Sequence, residues 1–252
     1  MENKVHPSEG GTHWYDAKTG EPRYTIIGKN GKERNVTLRD AREHGYVPSV
    51  TGIIKCAAAP GLERWKLEQM LHAALTLPRR ENEPESEYLD RIRADSQEQA
   101  RKAAERGTAI HKAIQGHFEG IPPHQDYLKH VQAAVRVCNE WAGTIPITAE
   151  QSFAHPLGFG GKVDLWGDDF VFDFKSKEFT EDDKLNTWDE QAMQLSAYRE
   201  GLELPEARCA IVYVSASVPG LARLIEIEEE KLKHGWIMFQ NLLGYWRAKN
   251  GI

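Results

Sequence analysis

The chain has 252 residues, 40% of them hydrophobic, enough for one large domain or for a core carrying a substantial insertion. Its 32 basic and 38 acidic residues leave a net charge of −6, which argues against a protein that holds nucleic acid through bulk positive charge; any such affinity falls to local basic patches or to cations that offset an acidic site. No apolar run approaches the roughly 20 residues that span a bilayer. The polar opening, residues 1–11, lacks the hydrophobic middle of a secretion signal. The three cysteines, Cys56, Cys138 and Cys209, lie far apart with no neighbouring Cys or His, which excludes spaced-Cys zinc modules and a four-Cys iron–sulfur cluster. Scattered thiols fit a reducing compartment, so a cytoplasmic location is expected.

Residues 13–47 are rich in turns. The strand-like stretch 23–27 lies between Lys18-Thr-Gly20 and Gly28-Lys-Asn-Gly31 and predicts a small hairpin, the N-terminal extension of a main domain over 48–252. After Pro48 the pattern turns helical: Val50, Ile53 and Ile54 make one apolar stripe, and Pro60-Gly61 separates it from a helix over 62–77. A long polar helix is expected over 86–118, with Gly107 as a point of interruption, and a further one over 127–141. The region 61–105 is thus a helical insertion. Its many arginines alternate with glutamates, which favours a solvated, salt-bridged helix over a DNA channel. Strands are expected at 148–154, 161–166, 170–175, 208–215 and 222–227, with a helix over 188–202 before the fourth and a closing helix over 228–249, whose Glu228-Glu-Glu230 start suits the helix dipole. This is an α/β or α+β plan with a mixed central sheet flanked by helices.

The densest chemical signal is Gly160-Gly-Lys-Val-Asp-Leu165 followed by Val171-Phe-Asp-Phe-Lys175. Strand alternation sends Asp173 and Lys175 to one face and Phe172 and Phe174 to the core. A turn at Gly167-Asp-Asp folds the two strands together, with Asp164 expected at the end of its strand and beside Asp173. Two carboxylates and an ammonium on one spot suit phosphodiester hydrolysis: hard oxygens bind Mg²⁺ or Mn²⁺, and a lysine can orient the attacking water or stabilise charge in the transition state. An Asp-x-Lys pair alone is more often a solvated strand face, but Asp164 interrupts an otherwise apolar strand. On the helix before the sheet, Ile110, Ile114 and Phe118 supply the buried stripe and leave His111 at its edge. On the helix after it, Gln191, Gln194 and Tyr198 share one face. Trp65 and Trp188 suit either base stacking or packing, and Glu150 on the first strand is either a supporting acid or a plain strand residue.

Gly-x-x-x-His, Gly-x-x-Asp, Asp-x-Lys and Gln-x-x-x-Tyr, in that order, resemble the PD-(D/E)xK nuclease superfamily, and more narrowly its RecB-like branch. The segment Val47-Pro-Ser-Val-Thr-Gly-Ile-Ile54 is similar to the one that precedes the core in mitochondrial genome maintenance exonuclease and related phage exonucleases. The resemblance implies a restriction-endonuclease-like core and a Mg²⁺- or Mn²⁺-dependent DNA exonuclease. It implies His111, Asp164, Asp173 and the Phe174 carbonyl as metal ligands and Lys175 as the catalytic lysine. Gln194 and Tyr198 match the glutamine–tyrosine motif, with Gln191 an in-phase competitor; Ser49 and Thr51 would touch phosphate near a DNA end. Asp173 stands where many members have Glu. The cysteines of the cluster-bearing subtype are missing, as is any phosphate-binding loop of a motor. The resemblance further implies linear DNA as substrate and a single-strand annealing or recombination protein as partner, with the oligomeric state open. An endonuclease or junction-cutting enzyme on the same fold, and an inactive DNA-binding module, are the competing readings.

Overall fold

The computed structural model describes residues 13–252, so the polar opening, residues 1–11, lies outside the described residues. Two small antiparallel sheets come first. The stretch expected as one strand divides between them: β1 (Trp14–Asp16) pairs with β2 (Pro22–Arg23), and β3 (Thr25–Ile27) with β4 (Glu33–Asn35). The turn at Gly28–Gly31 closes the second pair, with the Gly31 amide donating to the Gly28 carbonyl. A short helix that apolar periodicity does not announce follows, α1 (Leu38–His44). A capping box starts it: Thr37 and Asp40 bond reciprocally, and Arg34 clamps Asp40 with two hydrogen bonds of 2.6 and 2.8 Å. Next, β5 (Tyr46–Pro48) joins β1 on the side away from β2.

Ser49 caps α2 (Val50–Ile54), whose Val50, Ile53 and Ile54 are buried. Pro60 sits at the start of α3 (Pro60–Thr76), where a missing amide hydrogen costs nothing. The long polar helix α4 (Glu85–Phe118) is continuous; Gly107 does not break it, because this glycine serves packing rather than a bend. Along α3 and α4 the charges pair at helical spacing, as in Arg64 with Glu68 and Arg101 with Glu98 and Glu105, the solvated pattern expected. Then come α5 (Leu128–Ala142), β6 (Thr148–His155), β7 (Phe159–Gly167), β8 (Phe170–Lys177), α6 (Asp189–Gly201), β9 (Arg208–Ser215), β10 (Ala222–Ile227) and α7 (Glu229–Asn250).

The five core strands form one mixed sheet in the order β10-β9-β8-β7-β6; β8 and β9 run parallel, joined by α6, and the other neighbours are antiparallel. Alternation distributes β8 and β9 between two apolar clusters. Phe170, Phe172, Phe174, Ala210, Val212 and Val214 face α5 and the C-terminal part of α4, whereas Val171, Cys209, Ile211 and Tyr213 face α2, α6 and α7. Trp14 of the N-terminal extension belongs to the second cluster. Burial pushes the Cys138 and Cys209 thiols up to about 12, as befits small core residues. Among the described residues no helix is long and apolar enough to cross a membrane.

The buried Arg199 of α6 makes two hydrogen bonds of 2.8 and 3.0 Å to Glu229, in the first turn of α7. Glu229→Ala should cost about 1–2 kcal/mol, a figure that allows for its partial exposure. Those Arg199 hydrogen bonds hold the Glu229 carboxyl below its ordinary range, so its contribution is complete above the unfolded-state pKa and is lost as pH falls through the folded one. Urea unfolding at pH 7 and at about pH 3.5 checks this; an equal difference between variant and wild type at both pH values refutes it.

Candidate active site

Asp164 is not at the end of its strand, as the turn-based reading expects, but in the middle of β7. The sheet makes room for it by coming apart locally. The β7–β8 ladder stops at Leu165 opposite Phe172. On the other side, Ala149 pairs with Leu165 and Gln151 with Val163, but the intervening Glu150 and Asp164 do not pair. Val163 packs in one apolar cluster and Leu165 in the other, so the face alternation slips at Asp164. Glu150 stands at φ +43°, a left-handed backbone that costs a non-glycine residue of order 1–3 kcal/mol. Interruptions of this kind re-aim side chains next to functional sites.

Asp164 uses one oxygen to restore what the ladder loses: Oδ2 accepts the Phe174 amide at 2.9 Å. Oδ1 lies 3.1 Å from His111 Nε2. His111 reaches this position because α4 crosses β8 closely at Gly107, one turn earlier. A Cβ there would stand 2.5 Å from Ser176 Oγ, so a larger residue would have to turn the Ser176 hydroxyl aside for the same approach. Asp173, 2% exposed, accepts from Gln194 Nε2 at 2.6 Å through Oδ1. Lys175 Nζ lies 2.5 Å from its Oδ2 and donates to Gln194 Oε1 at 3.1 Å. Gln194 Nε2 also reaches the Tyr198 hydroxyl at 3.0 Å. Tyr198 in turn passes close to Gly161, where a Cβ would be 2.9 Å from its ring.

The two carboxylates titrate in opposite senses. Burial disfavours charge on both. For Asp164 the neighbouring His111 and the Phe174 amide outweigh it and hold the carboxyl low. For Asp173 burial, with repulsion from Asp164, outweighs Lys175 and pushes the carboxyl up. Burial likewise opposes charge on His111, but Asp164 and Asp173 outweigh it and raise the imidazole.

Among the described residues no three His, Cys, Asp or Glu side chains are gathered as a ready-made cation cage. What is present is a carboxylate pair, and the buried Asp173 Oδ2 has the Lys175 ammonium as its partner among the described residues. That donor set fits Mg²⁺ or Mn²⁺, small hard cations that keep several waters and need one or two carboxylates rather than an all-protein cage.

The other sequence candidates lie outside this cluster. Gln191, in phase with Gln194, turns elsewhere: Nε2 donates to the Tyr213 hydroxyl at 2.8 Å and Oε1 accepts the Trp188 amide at 2.9 Å. Ser49 is buried and bonds the Gly52 amide at 3.0 Å, with the Thr51 hydroxyl 3.4 Å away. Glu150 pairs with Lys162. Trp188 is half exposed and packs over Gly61, while Trp65 lines the cleft. That cleft, of about 960 Å³, is walled by α4 and opens onto His111, Phe174 and Lys175, with Tyr24, Glu150 and Lys162 on its side. Sequence reasoning passed over Lys162 and Tyr213. Lys162 had a signal, an ionisable residue two places before Asp164 on the same strand; Tyr213 arrives from a distant strand and had none.

No family model matches the chain, and no curated protein matches it. Among solved structures it overlaps a provisionally assigned exonuclease of Eubacterium rectale, at 13% identity, over 58% of this chain and 68% of that one, with a TM-score of 0.43. It also overlaps the alkaline exonuclease of Laribacter hongkongensis, at 13% identity, over 55% and 81% of the two chains, with a TM-score of 0.27. Overlap this partial carries no weight for the chemistry, which rests on the residues of this chain.

Proposed function

We propose that the protein is a metal-dependent deoxyribonuclease of the RecB-like branch of the PD-(D/E)xK superfamily, hydrolysing phosphodiester bonds from the ends of linear DNA. The observation that carries this reading is the convergence of Asp164, Asp173, Lys175 and Gln194 beside an open cleft. Two neighbouring carboxylates, Asp173 buried and Asp164 nearly so, that repel each other are expensive to maintain in a fold that gains nothing from them.

Asp164 and Asp173 would hold Mg²⁺ or Mn²⁺, with His111 and the Phe174 carbonyl completing the protein ligands; the cation lowers the pKa of a bound water and neutralises charge on the phosphate. The residues of the chain do the rest. Gln194 fixes the orientation of Asp173 and, with the Tyr198 hydroxyl behind it, is itself fixed. Lys175 keeps its ammonium between Asp173 and Gln194, 36% exposed toward the cleft, where it can steady the attacking water or the phosphate oxygen on which charge grows. His111 steadies Asp164. The arm formed by α3 and α4 would shape the approach into a passage suited to ends, and Ser49 and Thr51 at the start of α2 are assigned a supporting phosphate role.

Digestion of linear and covalently closed circular DNA with Mg²⁺ or Mn²⁺ tests the reading. Loss of linear DNA alone, stopped by EDTA, is the expected result. Rapid cutting of circles would replace the exonuclease by an endonuclease, and DNA binding without cleavage in either metal would replace it by an inactive binding module.

A further inference from the structure

A second charged pair on the cleft wall has no part in the cleavage scheme. Lys162 lies on β7 two residues before Asp164, about 6.6 Å along the strand, near enough for the Asp164 carboxylate to favour its charge. Its side chain is one-third exposed and closely ion-paired with Glu150, and both residues line the cleft that reaches Lys175. The position of Glu150 is not a passive consequence of the sheet. Continued pairing would set it opposite Asp164, two carboxylates face to face. Instead the ladder skips that pair, the Glu150 backbone turns left-handed at φ +43°, and its carboxylate goes to Lys162.

We propose that Lys162 anchors a backbone phosphate next to the one being cut, and that Glu150 is an internal stand-in for that phosphate, displaced when the strand enters the cleft. This rests on the reading of the cleft as a nucleic-acid site. The spacing from Lys162 to Asp164 is on the scale that separates neighbouring phosphates of one strand. The chain is net acidic, so phosphate affinity must come from individual cations, and Arg101 and Lys102 on α4 are taken up by glutamates of their own helix. Lys162 differs from them: its partner comes from another strand, is held there by a strained backbone, and leaves the ammonium beside the centre.

The test is binding of a fluorescently labelled linear oligonucleotide to the full chain in EDTA, which reads affinity without cleavage, between 50 and 200 mM salt. Lys162→Ala should weaken binding about tenfold and lower the slope of log K against log salt by about one. Lys162→Arg should restore both. Glu150→Gln, which removes the competitor and keeps the shape, should tighten binding several-fold, and the double variant should behave as Lys162→Ala does. Unchanged affinity and slope in Lys162→Ala overturns the proposal. So does Glu150→Gln weakening binding as much as Lys162→Ala, which would make the pair a structural cross-link. Lys162→Met, which keeps the aliphatic stem, replaces the alanine variant if that one fails to fold, and Lys129→Ala, at an exposed position of α5, serves as the unaffected control. A wild type that does not bind the oligonucleotide overturns this proposal and the cleavage reading together; Lys162-dependent binding without any cleavage in Mg²⁺ or Mn²⁺ upholds this proposal and sinks the other.

Discussion

Lys175→Ala is expected to lower the rate of DNA cleavage by roughly 100- to 1000-fold, the usual loss when one preorganised donor to a developing charge is removed. The geometry says why nothing nearby substitutes for it. The ammonium sits between Asp173 Oδ2 and Gln194 Oε1, and neither neighbour carries a positive charge. Burial opposes charge on Lys175, but Asp173 and Asp164 outweigh it and hold the group firmly protonated, so it acts as a fixed cation and hydrogen-bond donor rather than as a base. Arginine should rescue little, because a planar fork cannot occupy a position that a compact ammonium fills between two acceptors. Single-turnover cleavage at saturating Mg²⁺ is the measurement. A variant within tenfold of wild type would remove Lys175 from the chemistry.

Asp173→Asn is the second large effect: cleavage falls below detection in Mg²⁺ and in Mn²⁺, and the stabilisation that these cations give the folded protein disappears. With the cation at about a hundredfold excess over its Kd, wild type gains roughly 2.7 kcal/mol, which for a chain of this size raises Tm by roughly 5–10 °C. The variant should show no such rise. Its metal-free stability should lie within about 1 kcal/mol of wild type, because the substitution removes a buried carboxylate that Asp164 repels while Lys175 stays partly hydrated. Thermal melts with and without Mn²⁺ separate the outcomes. A variant that still gains stability from Mn²⁺ would place the cation elsewhere, and one that is metal-blind yet active would end the metal-dependent reading.

Much of the site was legible because strand alternation and helix phase are short-range. Asp173 and Lys175 are two apart on one strand, and Gln194 and Tyr198 four apart on one helix; each pair shares a face wherever its element lies. The core strands were legible as apolar runs, β9 and β10 to the residue. What escaped depends on how elements meet. Gln191 and Gln194 are equivalent from helix phase, and only the seat of α6 on the sheet sends one to Tyr213 and the other to Asp173. Asp164 was expected at a strand end because of the turn at Gly167-Asp-Asp; in fact β7 continues past it to Gly167, and the polar side chain replaces a lost rung of the ladder. Gly107 suggested a break, since an isolated glycine weakens a helix. Its reason, the Ser176 side chain of a strand far along the chain, has no local trace. The capping box of α1 was present as Thr37 and Asp40, but too short a helix followed for periodicity to register.

The contact at Gly107 also divides α4 unequally. At 1.5 Å per residue, about 33 Å of helix lies between it and Glu85 and only about 6 Å between it and His111. The short side is anchored, since Ile110 and Ile114 are buried in the core, whereas the long side leans on α3. The imidazole beside Asp164 therefore belongs to the best-fixed part of the longest helix.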